Sequence, residues 1–319
     1  MPRRGLERMP QPIYNLNSNH NSPKQKTYTT TMQTTNLQLQ DKLPLTCSRR
    51  GTCCHGNLVM LNPWELACLA GAKKITPREF RDLYCDYGGI RLRFDGKPNE
   101  QGKKACSQYI DNFGCSLHTA RPLACRLFPI GRQIQNDALS YMYQGDQFPC
   151  LEFCPEVSGL PYLTVGEYLA DQQTAAFETA QNEYLKLMQN LADIAFELLL
   201  DTGLAASGDT GTLPLWRKMG NELPEVLAHS ICPEWTDSLM IPDISVDAED
   251  PVLFAQKHTD LLQLKVQEKF GDLQTFPELQ HASVLIMGVA LHLARALGAK
   301  PEILAEHWIN TAKQYGALE

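Results

Sequence analysis

Ten of the eleven cysteines lie between Cys47 and Cys154, and only Cys232 lies beyond them. Eight of the ten fall into three groups. Cys47, Cys53 and Cys54 come first. Cys106, Cys115 and Cys125 follow after 51 residues, and Cys150 and Cys154 after 24 more. Thiolates are soft ligands suited to Zn²⁺ or to iron–sulfur clusters, and either centre needs several of them gathered from separate segments. Gly51 and Gly114 stand just ahead of cysteines, where a missing Cβ lets the backbone turn toward a thiolate. Pro129 and Pro155 follow cysteines closely and stiffen the loops that present them. Cys68, inside an apolar helical segment, reads instead as a small hydrophobe, as do Cys85 and Cys232. No Cys-x-x-Cys pair is present, so the spacing points to thiolate chemistry without naming the metal.

The segment Cys106-Ser-Gln-Tyr-Ile-Asp-Asn-Phe-Gly-Cys115-Ser-Leu-His118-Thr-Ala-Arg121-Pro122-Leu-Ala-Cys125-Arg126-Leu-Phe128-Pro129 resembles the signature of the YkgJ-type cysteine-cluster family, a zinc- or iron-chelating domain. The upstream Gly51-Thr-Cys53-Cys54 and the downstream Cys154-Pro155 occur in the family's order, so the resemblance covers about residues 46–156. It implies a metal or cluster held by Cys47, Cys53, Cys54, Cys106, Cys115, Cys125 and Cys154. Family members commonly show Cys-x-x-Cys-Gly-x-Cys-Cys at the first group. Arg50 takes the second of those positions here, and Cys150 is the candidate replacement. Bacterial flagellin lysine N-methylases resemble the same family, which raises an iron–sulfur-dependent enzyme acting on a polypeptide as one alternative. A structural zinc domain that presents an acidic helical partner-binding module is another.

Other residues near the signature have two readings each. Arg121 and Arg126 flank Cys125, where they would offset thiolate charge and donate hydrogen bonds to sulfur, or else pair with a carboxylate such as Asp111 or Glu152. His118 reads as a packing residue in preference to a ligand. His281 and His292 lie eleven apart on an apolar helix and read as ordinary surface or core histidines. No phosphate-cradling glycine loop, Ser-His-Asp set or His-Glu-x-x-His run is present, so no catalytic residue is assigned.

These side chains need elements to position them. Asn62-Pro63-Trp64-Glu65 and Thr76-Pro77-Arg78-Glu79 each place a cap, a proline and a glutamate at a helix start. The helices they open are expected to end near Gly71 and Cys85. Leu58–Leu61 and Ile90–Phe94 read as strand pieces, and Arg132–Gln135 with Leu139–Tyr143 as a hairpin turning at Asn136-Asp137. From Thr164 onward the pattern is helical. A capping box at Thr164–Glu167 precedes Phe177, Tyr184, Met188, Leu191, Ala195 and Leu198, which mark one apolar face of a long helix. Further helices are expected from Asp250-Pro251 to Gly271, from about Glu278 to Leu297, and from Pro301 to Tyr315, with a loop at 203–212.

Composition sets the frame. The chain has 319 residues, 43% hydrophobic and 20% charged, with a net charge of −7. Charge is uneven: +4 over 1–45, +4 over 46–155 and −15 over 156–319. The expected organisation is a disordered tail (1–45), a cysteine-cluster metal-binding domain (46–156) and an acidic α-helical domain (164–319). The fold class is α+β: a small cysteine-rich α+β domain followed by a mainly α-helical one. No apolar run is read as membrane-spanning, and the polar N-terminus lacks a secretory apolar core, so a cytoplasmic location is expected. Strong acidity of the largest unit argues against nucleic acid as a partner and leaves room for a protein partner. An iron–sulfur cluster is favoured over a zinc or iron ion, because eight thiols exceed one Cys₄ site.

Overall fold

A computed structural model describes residues 14–15, 35–44, 51–135, 138–143, 161–244 and 250–319. Local capping starts the first two helices. In α1 (Pro63–Lys73) the Asn62 side chain accepts from the Glu65 N–H at 3.0 Å, and Glu65 Oε2 accepts from the Asn62 N–H at 3.0 Å. In α2 (Pro77–Tyr84) Thr76 and Glu79 make the same reciprocal pair. α1 stops where Lys74 turns left-handed, at φ 59°.

The strands of this region are β1 (Tyr14–Asn15), β2 (Thr35–Leu37), β3 (Lys42–Leu43), β4 (Cys85–Asp86), β5 (Arg91–Leu92), β6 (Tyr109–Ile110), β7 (Gly114–Cys115), β8 (Ile130–Gln135), β9 (Ala138–Tyr143) and β10 (Leu163–Thr164). The β8–β9 hairpin forms as the sequence predicts, with Ile130 opposite Tyr143; its turn, Asn136-Asp137, lies outside the described residues. It is the centre of a four-stranded antiparallel sheet ordered β1-β8-β9-β2, and β3 pairs with β10.

The described residues of the 1–45 stretch include three short strands: β1 and β2 pair with the two strands of the hairpin, and β3 pairs with Leu163–Thr164. An added strand is held by backbone hydrogen bonds, which a polar sequence supplies as well as an apolar one.

The helices continue as α3 (Leu123–Leu127), α4 (Val165–Asp171), α5 (Ala175–Leu200), α6 (Thr212–Asn221), α7 (Pro224–Ser230), α8 (Cys232–Met240), α9 (Pro251–Phe270), α10 (Phe276–Ala296) and α11 (Pro301–Gln314). Every residue of the predicted α5 face, from Phe177 to Leu198, is buried. α5 packs mainly on α10 and α9, and α11 lies against α6. α10 is long and apolar enough to span a membrane by length and composition, contrary to the expectation that no such run exists. Most of its apolar window, 72%, is buried among neighbouring helices.

The two regions share one hydrophobic core. Trp64 of α1 meets Phe177 of α5 edge-on, with ring centroids 4.9 Å apart. Arg78 and Arg81 of α2 pair with Asp237 of α8, the former at 2.9 Å. Gly88 takes φ +70° in the turn after β4, and a Cβ there would come within 2.4 Å of Thr236, so only glycine lets the turn seat on α8.

Candidate metal centre

Three backbone knots bring the cysteine groups together. The first is the tight turn Thr52–Cys54, closed by the Cys54 N–H donating to the Gly51 carbonyl at 2.9 Å. Gly51 sits at φ +77°, and a Cβ on it would overlap the Tyr109 ring at 2.0 Å. The expectation for this glycine therefore holds, for reasons of both conformation and space. The second knot ties the groups to each other: the Cys106 N–H donates to the Cys54 carbonyl at 2.7 Å. The third is the β6–β7 hairpin, which sets Tyr109 opposite Cys115 with Gly114 at φ +91°.

Cys125 arrives on α3, whose entry is fixed from a distance. Glu65 Oε1 accepts from the Leu123 N–H at 2.7 Å while its other oxygen caps α1. One carboxylate thus joins two helix starts. Burial pushes the Glu65 carboxyl up to about 7, against the opposing pull of those two N–H groups and of Arg126.

The thiols act on one another. Burial raises Cys125 well above the ordinary thiol range; Cys106, Cys53 and Cys115 raise it further, and Arg121 pulls the other way. Cys106 is pushed up to about 11 by burial and by Cys115, against hydrogen bonds from Gln108 and Ser107. Cys53, Cys106 and Cys115 therefore each lie within electrostatic reach of Cys125, and each extra thiolate opposes its ionisation. A bound cation reverses that balance by supplying the missing positive charge, so this donor set fits a metal centre. Among the described residues no three Cys, His, Asp or Glu side chains already stand as a closed metal-holding group, and no disulfide is formed. The thiols are gathered rather than locked.

The remaining predicted residues fall as follows. Cys54 shares the first turn with Cys53 and acts electrostatically on Tyr109. Cys47, Cys150 and Cys154 lie outside the described residues, as does Glu152. Cys68 and Cys85 are both pushed up to about 12, chiefly by burial, so they stay protonated. Cys85 nonetheless lies within electrostatic reach of Cys106, a proximity the sequence does not reveal. Cys232 opens α8 in the helical region.

Arg121 and Arg126 are both buried, and Asp111 faces Lys97 at 3.8 Å. Arg121 donates to the His118 carbonyl at 2.9 Å and to Gln172 Oε1 at 2.8 Å. Arg126 donates to the carbonyls of Arg121, Gln172 and Thr119 and lies 4.0 Å over the Phe177 ring. Arg126 thus takes the Gln172 carbonyl at the point where α4 and α5 separate and Gln173 turns left-handed, φ +52°. His118 is half-buried in a 3₁₀ turn. His281 is exposed, while His292 is fully buried. Glu65 and Gln172 are the site-building residues that sequence reasoning passes over. The capping box announces Glu65, but only for half of its task.

Residues 46–143 match the CxxCxxCC family, described as a zinc- or iron-chelating domain, in agreement with the resemblance carried by the Cys106–Pro129 signature. No curated protein and no solved structure matches the chain.

Proposed function

We propose, from the match of residues 46–143 to a zinc- or iron-chelating family, that this chain is a cytoplasmic protein built around an iron–sulfur cluster. Cys53, Cys106, Cys115 and Cys125 would supply the described ligands, and Cys54, Cys47, Cys150 and Cys154 are the further thiols within the same stretch of chain. The observation that supports the reading is the backbone tie between the cysteine segments: the Cys106 N–H donates to the Cys54 carbonyl at 2.7 Å, and the β6–β7 hairpin sets Cys115 opposite Tyr109. The eight thiols of this stretch exceed the four that saturate one zinc ion, which supports a cluster. When bound, such a cluster supplies electron transfer or a Lewis-acidic iron. The chain's own residues orient and shield it: Glu65 fixes the entry of α3, and Arg121 and Arg126 set positive charge beside Cys125. Anaerobic purification followed by iron, zinc and acid-labile sulfide analysis tests the proposal. Iron and sulfide in comparable amounts with a broad absorbance near ~400 nm are expected of a thiolate-bound cluster. Stoichiometric zinc in a colourless protein would replace the cluster with a structural zinc site.

A further inference from the structure

His55 is the chemistry-bearing side chain at this site that the reading above leaves unused. It follows Cys53 and Cys54 directly, at the end of their turn. Its Nδ1 lies 2.9 Å from the Gly51 carbonyl oxygen. A carbonyl only accepts, so Nδ1 donates to it, and Nε2 is the ring nitrogen left to face a metal. One ring nitrogen pinned to a backbone carbonyl while the other is left bare is the arrangement that metal-ligating histidines take. Nothing among the described residues occupies Nε2.

Placement agrees with chemistry. The His55 backbone bridges to Ala105, the neighbour of Cys106, so the imidazole is rooted in the knot that joins the first two cysteine groups. Its ring meets Tyr109 edge-on at 4.8 Å, and Tyr109 in turn lies within electrostatic reach of Cys54. Tyr109 thus neighbours both Cys54 and His55, while Cys53 acts on Cys125 with Cys106 and Cys115. His55 is only half-buried, which leaves its ring open to an incoming ion.

We propose that His55 is a metal ligand through Nε2, placed beside Cys54, so that the centre has mixed thiolate and imidazole ligation. The inference rests on the metal-centre reading above. X-ray absorption at the edge of whichever metal the full chain retains reads the ligand atoms directly. The wild type should show a nitrogen scatterer at about 2.0–2.1 Å beside sulfur at about 2.3 Å. His55→Ala should lose the nitrogen and release metal to a chelator at least ~10-fold more readily. His55→Cys should show sulfur only and regain retention, which a merely structural role for the imidazole would not produce. A metal-loaded wild type with sulfur ligands alone, or nitrogen that persists in His55→Ala, overturns this inference and leaves the metal centre standing. A wild type that holds no metal, or full metal in Cys115→Ser, overturns the centre and this inference with it.

Discussion

The cysteine region and the helical region are built by different means. In the helical region order comes from apolar area: Trp216, Trp308, Phe196 and Tyr184 are fully buried, and each such side chain contributes about 1.5–3 kcal/mol by leaving water. Some of its buried polar groups are paired across the bundle, as where the Tyr184 hydroxyl and the Ser238 carbonyl meet the two nitrogens of His258. In the cysteine region order comes from direction. Glu65 holds two helix starts, Arg126 holds three carbonyls, and Gly51, Gly88 and Gly114 adopt left-handed backbone that side chains rarely take. Apolar packing tolerates exchange of one hydrophobe for another of similar size. A set of aimed hydrogen bonds around thiols that resist sharing charge has no such tolerance, and a cation is what resolves it.

The widest gap between the two regions should open when thiols are removed. Cys53→Ser, Cys54→Ser, Cys115→Ser and Cys125→Ser should each lower bound metal and soluble yield together, because binding energy at such a site is folding energy. Cys68→Ser and Cys232→Ser should keep full metal content by mass analysis. Equal loss in both groups would erase the distinction.

Trp308→Ala attacks the other region. Emptying this fully buried site in α11 should cost about 3–5 kcal/mol in denaturant unfolding while metal content at 25 °C stays unchanged. Metal loss in step with that destabilisation would show that the shared core makes the regions a single unit.

Glu65 sharpens the comparison through pH. Its carboxyl is raised from 4.5 to about 7 in the folded protein, so the folded state binds that proton more tightly than the unfolded chain. The contribution is complete below pH 4.5 and is lost as pH rises through 7, by at most about 3 kcal/mol. Urea unfolding at pH 4.5 and 7 should show this loss in the wild type and not in Glu65→Gln; parallel behaviour of the two would refute it. The smallest effect should come from the ion pairs that join the regions. Asp237→Asn weakens contacts with Arg78 and Arg81 at a partly exposed site, and a melting experiment should show a cost under about 1 kcal/mol.

What the sequence discloses follows the same division. Caps are local events, so the helix starts at Asn62, Thr76, Thr164 and Asp250 are read correctly, and Thr275 caps α10 three residues before the expected Glu278. The apolar face of α5 is legible because six residues repeat on one helical stripe. The short helices α6, α7 and α8 escape notice because each spans too few turns for a period to show. The break between α4 and α5 escapes for another reason: it is stabilised by Arg126, 46 residues earlier in the chain. At the site, residue types announce the thiols, while the second oxygen of Glu65 and the approach of Cys85 to Cys106 depend on how distant segments meet.

The pairing of Lys42–Leu43 with Leu163–Thr164 has a consequence for connectivity. Val165 and Gly166 donate to the carbonyls of Asp41 and Leu39, so the segment before the cysteine region is stitched to the first turn of α4. The whole stretch between is a closed excursion with a narrow neck, entered and left at one place. Closing a loop of roughly 100 residues costs about 4 kcal/mol of chain entropy, and the backbone hydrogen bonds at this neck help to offset it. An emptied cysteine region would stay leashed at both ends, its thiols confined near one another instead of dispersed along a free chain.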